Sequence, residues 1–293
     1  MKATALLVFA LLCFIGVIGA LSVPPSEAKS ALYPAWAHHH WVWLSAEQAN
    51  QVSELTLVKD YLARNIKVGA VDIDSQWATG DNNFIWNAEK YRDPAGMVKE
   101  FHDMGVRVIL WVTSMVDTDS SNFAEGLEKG YFLNEGETIK WWHGEGAFMD
   151  YTNPEALDWW HEQMQKVIDI GIDGWKCDGT DPFVFELIVP YGHKGVLSHR
   201  EYADSYYRDF FYYTKKTNPE ALIMARPVDS FDNILYLEFA PRDVVFSGWT
   251  GDADPTFAGM REMLNNMFHS AWAGYVNFGT DIGGYRNGNR TKN

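Results

Sequence analysis

Cysteine is nearly absent from this 293-residue chain, which contains only Cys13 and Cys177. Cys13 lies in an apolar N-terminal run, so the body of the protein has one cysteine and no internal disulfide is expected. Basic residues are also few: 24 Lys and Arg stand against 39 Asp and Glu, for a formal net charge of −15. This balance argues against nucleic acid as a partner, because a phosphate backbone is bound by clustered Lys and Arg.

Nucleotide-binding motifs are missing as well. No Gly-x-Gly-x-x-Gly follows a predicted strand, and the chain has no Walker loop. Aromatic residues, in contrast, are abundant, with 13 Trp, 14 Tyr and 17 Phe making 15% of the chain. An acidic and aromatic composition is typical of sites for neutral polyhydroxylated ligands, because carboxylates accept hydroxyl protons and rings cover apolar C–H faces.

The N-terminus has the pattern of a secretory leader. Lys2 precedes an uncharged run over residues 3–23 that contains the small residue Ala20. Residues 1–20 are therefore predicted to be a signal peptide, and a retained membrane anchor is the alternative because the apolar run is long. Residues 21–32 are predicted to be a linker. The protein is expected to be secreted or lumenal, and to contact a membrane only if the leader is retained.

Short apolar runs alternate with helical patterns over residues 33–293. Most runs are apolar throughout, which indicates strands covered on both faces of a parallel sheet. Seven β-then-α steps predict an α/β fold, either a (β/α)8 TIM-type barrel or an open doubly wound sheet, and the missing nucleotide motifs favour the barrel. The runs are Trp41–Leu44, Val68–Ile73, Val106–Val112, Gly174–Cys177, Ala221–Ala225, Val244–Gly248 and Tyr275–Phe278. Helix starts are predicted at Asp93-Pro94, Asn153-Pro154, Asn218-Pro219 and Asp254-Pro255.

Charged residues follow most of the predicted strands, at the end where barrels carry their chemistry. Several carboxylates at one mouth repel each other unless they bind something. Asp178 and Asp252 come from non-adjacent strands, and two acids in different surroundings are what a retaining glycosidase needs. Arg226 is expected to keep one of them ionised. The strand-end residues are Asp72, Asp74, Asp178, Arg226, Asp252 and Asp281.

Other conspicuous residues have simpler interpretations. Asp181 and Asp254 each precede a proline and are predicted to cap helices. Trp159-Trp160 lies in a helical pattern and is predicted to pack, whereas Trp142, with Trp141, lies near two glycines and is the better ligand platform. Lys176 is either a buried partner for the acids or a cation that balances them. His38-His39-His40 lacks zinc spacing, so no metal site is predicted there.

Five segments, taken in order, resemble glycoside hydrolase family 31. They are Val71-Asp-Ile-Asp74, Val108-Ile-Leu-Trp111, Gly171-Ile-Asp-Gly-Trp-Lys-Cys-Asp178, Trp249-Thr-Gly-Asp252 and Gly279-Thr-Asp-Ile-Gly-Gly-Tyr285. The lysine two positions before Asp178 is similar to the α-xylosidase and sulfoquinovosidase branch. The segment Trp141–Ala156 looks most like the myogenesis-regulating glycosidase branch.

The resemblance implies a retaining exo-α-glycosidase that hydrolyses terminal α-glucosides or α-galactosides through a glycosyl-aspartate intermediate, without metal or cofactor. It implies that Asp178 is the nucleophile and Asp252 the general acid/base. By the same resemblance, Asp74 and Arg226 hold sugar hydroxyls. The remaining pocket residues that it implies are Trp111, Lys176, Trp249 and Asp281.

The sequence departs from the family pattern in two places. The family has a β-sandwich before the barrel, and here only the leader and linker precede Tyr33; the chain also ends soon after the seventh predicted strand, at Asn293. The expectation is therefore an incomplete barrel, truncated at the C-terminus, with seven of eight strands. Two alternatives stay open: a non-catalytic, carbohydrate-binding or truncated remnant, and a metal-dependent glycosyltransferase that uses Asp72-x-Asp74 and Asp252-x-Asp254 as metal-holding pairs.

Overall fold

The computed structural model describes residues 33–229, 237–238 and 240–286. The predicted leader (1–20) and the linker (21–32) lie outside these residues. Among the residues described, no helix combines the length and apolar character needed to cross a membrane.

A seven-stranded parallel sheet is the centre of the fold. Its strands pair with their neighbours in sequence order, from the first to the seventh. Within the described residues, the first and seventh strands form the two edges, so the curled sheet corresponds to seven of the eight strands of a (β/α)8 barrel. The predicted α/β fold is confirmed. The strands are β1 (His40–Trp43), β2 (Val68–Ile73), β3 (Arg107–Val112), β4 (Gly174–Cys177), β5 (Leu222–Ala225), β6 (Val245–Trp249) and β7 (Phe278–Gly279).

Helices between the strands cover the outer face of the sheet. An aromatic cluster lies where α4 (Pro154–Ile168) and α6 (His199–Thr217) pack on β4: Trp160 and Trp175 are fully buried, and Phe210 lies edge-on to both rings at 6.3 and 5.4 Å. The prediction that Trp159-Trp160 packs in a helix is confirmed. The helices are α1 (Gln51–Ala63), α2 (Pro94–Asp103), α3 (Phe123–Glu128), α4 (Pro154–Ile168), α5 (Thr180–Val184), α6 (His199–Thr217) and α7 (Phe257–Trp272).

Two of the four predicted helix starts are confirmed. Asp93 and Asn153 are N-caps whose side chains accept hydrogen bonds from first-turn N–H groups of α2 and α4. Asn218 instead ends α6: its own N–H bonds to the Thr214 carbonyl, and only a short turn separates it from β5. The Asp254-Pro255 prediction is early by two residues, because Thr256 caps α7 and Phe257 is its first helical residue.

Asp181 was also expected to be a cap, and that prediction is wrong. The N-cap of α5 is Gly179, which has a left-handed φ of +71°, and Asp181 is already the second residue of the helix. The seventh strand starts later than expected as well. Its predicted first residue, Tyr275, still donates its N–H to the Ser270 carbonyl and so finishes the turn out of α7.

A three-stranded antiparallel sheet follows the carboxyl end of β3. It consists of Met115–Asp117, Thr138–Lys140 and Glu145–Phe148, with the last of these in the middle. Its hairpin tip, residues 141–144, carries the tryptophan pair. A Cβ added at Gly179 would lie 3.2 Å from Cη2 of Trp142, so the tip lies against the second residue after β4. The smaller elements are the 3-10 turns Ala35–His38, Ser75–Trp77 and Leu133–Gly136, and the two-residue strands Tyr191–Gly192, Gly195–Val196, Val228–Asp229 and Leu237–Glu238.

Candidate active site

A buried lysine joins two carboxylates inside the sheet. Successive residues of a strand point to opposite faces. On β4, Trp175 therefore faces α6, where its indole N–H donates to Thr214 Oγ1 at 2.7 Å, and Lys176 points the other way. Lys176 Nζ lies 2.9 Å from Asp74 Oδ2 and 3.4 Å from Asp72 Oδ2. The interpretation of Lys176 as a buried partner for the acids matches this geometry.

The two aspartates paired with Lys176 differ in protonation. Burial raises the pKa of Asp72 to about 7, against the attraction of Lys176 and with help from the nearby charge of Asp74. Burial also acts to raise the pKa of Asp74. The pKa of Asp74 is nevertheless held below its ordinary value. The charge and hydrogen bond of Lys176 lower it, and so do the hydrogen bonds from the Ser75 N–H and the Trp43 indole N–H. Asp74 is therefore the ionised acceptor of the pair at neutral pH.

One guanidinium contacts the two predicted catalytic acids. Arg226 follows β5, and its Nε donates to Asp178 Oδ1 at 3.4 Å while its Nη2 donates to Asp252 Oδ2 at 3.2 Å. The guanidinium carbon lies 4.7 Å from the ring centre of Trp249, the last residue of β6. Asp178 and Asp252 thus meet at a common cation, as their strand-end positions predict.

The surroundings of the two acids are unequal. Asp178 also accepts hydrogen bonds from the Gly179 N–H at 2.8 Å and from the Trp111 indole N–H at 3.3 Å, and its side chain is 12% exposed. The Asp252 side chain is 32% exposed. Asp178 is therefore the fixed, more enclosed carboxylate, and Asp252 is the one in contact with solvent.

A cavity of about 310 Å³ lies beside this pair, between β1, β6 and β7. Asp281 follows β7 and lines the cavity, and burial raises the pKa of its carboxyl. Lys176 Nζ lies 5.9 and 5.3 Å from the ring centres of Trp43 and Trp249. The cavity wall is thus aromatic on two sides with charged groups between them. Its polar and aromatic lining includes Trp43, Asp72, Lys176, Trp249, Asp252, Asp281 and Tyr285.

Comparison with known proteins identifies the family to which this chain belongs. A family model described as the glycosyl hydrolases family 31 TIM-barrel domain matches residues 30–293. The chain belongs to glycoside hydrolase family 31. An alpha-xylosidase of Emericella nidulans is 27% identical over 271 residues, which are 88% of this chain and 33% of that enzyme. The myogenesis-regulating glycosidase of Mus musculus is 26% identical over 189 residues, which are 61% of this chain and 26% of that protein.

Solved structures agree on the fold of this family 31 chain. A GH31 alpha-xylosidase from a soil metagenome, complexed with xylose, superimposes with a TM-score of 0.72 at 22% identity, over 87% of this chain and 38% of the other. The coverages of the two curated relatives show that this chain spans about a third or less of their length.

The position of Trp142 is peripheral to the cavity. Its ring is 47% exposed at the hairpin tip, packs edge-on against Phe183 at 5.0 Å and reaches Gly179 beside Asp178. Trp111 lies on the same side, one strand from Lys176, with which it pairs across β3 and β4. Of the residues predicted for the site, Lys176, Trp249, Asp252 and Asp281 line the cavity, whereas Asp74, Trp111, Trp142, Asp178 and Arg226 lie outside its lining.

The metal-pair interpretation finds no support in the geometry. Lys176 occupies the place between Asp72 and Asp74 that a divalent cation would take. In the His38–His40 run, which was considered above as a metal site, the His40 ring stacks on Tyr61. In the part of the chain that the structure describes, no three His, Cys, Asp or Glu side chains are grouped so that they could hold a metal ion.

Sequence reasoning missed several residues at the site. Trp43, the last residue of β1, donates to Asp74 and carried a usable signal, since it ends a predicted strand. Tyr285 lies 5.5 Å from the Trp43 ring. Asp81, Asp117 and His143 form a group behind Trp111. Because they come from a loop, a short strand and a hairpin tip, no spacing in the sequence predicts the group.

Proposed function

We propose that this protein is a retaining exo-α-glycosidase that removes terminal α-linked sugars. The observation that carries the proposal is the meeting of Asp178 and Asp252 at Arg226, since two acids near one centre but in different surroundings are the requirement of double displacement. Membership of family 31 and the similarity to the alpha-xylosidases support the same reaction.

Asp178 suits the role of nucleophile. Three N–H donors hold its carboxylate in place, which limits the reorganisation needed when it attacks the anomeric carbon. In the first step Asp178 bonds to the anomeric carbon while the bond to the leaving oxygen breaks. A proton from Asp252 converts that oxygen into a free alcohol. The two carboxyl groups should then lie roughly 5–5.5 Å apart.

Asp252 suits the role of acid/base because it is the more exposed carboxyl and has to regain its proton. In the second step, ionised Asp252 takes a proton from water as the water oxygen attacks the anomeric carbon. The bond to Asp178 breaks, the sugar leaves with retained configuration, and Asp252 is protonated again. Arg226 lies close enough to both acids to stabilise whichever of them is ionised.

The sugar would lie over the charged groups of the cavity. Ionised Asp74 is an acceptor for sugar hydroxyls, Lys176 is a donor, and Trp43 and Trp249 present ring faces to C–H groups. Asp281 would complete the cavity wall, and Trp111, which lies outside the cavity lining, would approach the sugar from the side of Asp178. An α-glucoside and an α-galactoside are the proposed substrates, and the similarity to alpha-xylosidases adds an α-xyloside to the set to be tested.

Aryl α-glucoside, α-galactoside and α-xyloside hydrolysis by the full chain tests the proposal. Asp178→Ala should abolish turnover, and an activated fluoroglycoside should add one sugar mass to the peptide that contains Asp178. Asp209→Ala is the matched control, because this aspartate pairs with His161 between helices away from the cavity. A folded wild-type protein that binds these sugars without turnover would instead support the carbohydrate-binding remnant.

A further inference from the structure

A buried carboxyl group lies behind the tryptophans of the hairpin. Asp117 is 4% exposed, and its Oδ1 accepts the indole N–H of Trp141 at 2.7 Å. A Cβ added at Gly146 would lie 2.9 Å from that same oxygen, and one at Gly144 would lie 3.4 Å from Oδ2. The backbone of the hairpin therefore closes over the carboxyl at positions where a side chain would crowd it.

Asp117 does not stand alone. Its carboxyl lies near that of Asp81, whose negative charge opposes ionisation of Asp117. His143 Nδ1 lies 2.8 Å from Asp81 Oδ2. We call Asp81, Asp117 and His143 the hairpin cluster.

The charges around the hairpin cluster favour proton binding. Burial raises the pKa of Asp117 to about 7, together with the nearby charges of Asp81 and Asp119. Burial acts to lower the pKa of His143, but its hydrogen bond to Asp81 and the charges of Asp81, Asp117 and Asp74 raise it overall.

The hairpin cluster touches the proposed catalytic site through stacked rings. Trp141 lies nearly parallel to Trp111, with ring centres 6.2 Å apart and 15° between the planes. The His143 ring lies 5.3 Å from that of Trp111. Trp111 in turn donates its indole N–H to Asp178 Oδ2. The placement of this donor therefore depends on rings that the hairpin cluster holds.

We infer that Asp117 and His143 are positioning residues for Trp111: Asp117 holds Trp141, His143 is held by Asp81, and these two rings keep the Trp111 indole directed at Asp178. Ionisation of Asp117 would place its negative charge beside that of Asp81 behind Trp141 and loosen the stack. The catalytic consequence rests on the proposed function, whereas the structural consequence does not depend on it.

Near-ultraviolet circular dichroism of the full chain tests the structural part without any substrate. Wild type should show a tryptophan signal that changes between pH 5 and pH 9, with a midpoint near 7. Asp117→Asn keeps an acceptor for Trp141 but cannot titrate, so the amplitude of this transition should fall, and the remainder should be removed by adding Asp72→Asn, because Asp72 titrates near the same pH in the cavity with Trp43 and Trp249. His161→Gln is the matched control, because it removes a His–Asp contact of 2.7 Å between α4 and α6 and should leave the transition intact. A wild type without the transition, or an Asp117→Asn variant that keeps its full amplitude, would overturn the inference.

A double-mutant cycle tests the catalytic part on an aryl α-glycoside. Trp111→Phe removes the N–H but keeps a ring, and should lower kcat about tenfold, the scale of one hydrogen bond to a charged group. Above pH 7, where Asp117 in wild type loses its proton, wild-type kcat should fall, and the fall should be smaller in Asp117→Asn, with the remaining part due to Asp72, which titrates near the same pH. The double variant should be no slower than Trp111→Phe alone if the hairpin cluster acts through Trp111. Multiplied losses would contradict the inference, and a wild type without activity would refute the proposed function but leave the circular dichroism result standing.

Discussion

Replacing Lys176 with Met is the sharpest test of how the charged interior of the sheet is held together. At separations of 2.9 and 3.4 Å, each Lys176–carboxylate contact has a gross attraction of about 5–6 kcal/mol at an effective dielectric of about 20. The cost of burying the three groups offsets most of this. Removing one partner, however, leaves the others uncompensated, and the expected loss in free energy of unfolding is about 3–5 kcal/mol.

The loss in free energy of unfolding should depend on pH, and the pKa of Asp72 decides whether it is larger at high or at low pH. Its folded pKa of about 7 lies above the unfolded value of 3.8, so the stability that its proton contributes is present below pH 3.8 and lost as the pH rises through 7. Lys176 offsets the charge of ionised Asp72, so without Lys176 the loss of the Asp72 proton costs more stability. Lys176→Met should therefore cost more stability at pH 8 than at pH 5, as measured by urea unfolding.

Two comparisons make this result decisive. Lys59→Met breaks a shorter contact, 2.6 Å to Glu100, but both side chains are about half exposed, and the expected loss is below about 1 kcal/mol. Adding Asp72→Asn to Lys176→Met should recover part of the lost stability at pH 8. If Lys176→Met were as harmless as Lys59→Met, or equally damaging at both pH values, the account of the buried charges would be refuted.

Two further predictions concern stability. Glu54 is fully buried on α1 with neither oxygen hydrogen-bonded in the described structure, and burial, with Asp72 and Asp74, raises its pKa to about 8. Its stabilising proton is lost as the pH rises through 8, so urea unfolding should show Glu54→Gln to be more stable than wild type by about 2–4 kcal/mol at pH 9 and little changed at pH 4. Trp160→Ala should cost about 3–5 kcal/mol in the same assay, whereas Trp272→Ala, at a ring 76% exposed, should cost less than about 1 kcal/mol. An equal loss in the two tryptophan variants would contradict the assigned core.

The sequence predicts the sheet well because the inner strands β2 to β6 are short, mostly apolar runs that their neighbours bury on both faces, whereas the edge strands β1 and β7 are largely half-buried. The strand-end rule then places Asp74, Asp178, Arg226 and Asp252 correctly, since parallel strands deliver their carboxyl ends to one edge. Helix starts were harder, because Asn and Asp before Pro also suit turns. At Asn218 the side chain accepts the Glu220 N–H, so the same residue types close a turn instead of opening a helix.

The hairpin cluster could not be predicted from the sequence. Asp81 lies in the loop after β2, Asp117 in the short strand after β3, and His143 at a hairpin tip, so 62 positions separate the first from the last. Nothing in local periodicity brings them together. Only the folding of the inserted sheet against the β2 loop creates the contact.

The charge balance of the candidate site links its protonation to the proposed reaction. Five carboxyl groups share two cations, Lys176 and Arg226, so the site carries excess negative charge unless it binds protons. Asp72 supplies one proton site with a pKa of about 7, and Asp281 has a pKa above its ordinary value. The acid role proposed for Asp252 requires a third proton, and one proton on each of these three groups would balance the five carboxyl groups against the two cations before a neutral sugar enters. Positive charge that develops on the sugar in the transition state then faces the carboxylates of Asp178 and Asp74, which is the arrangement that stabilises it.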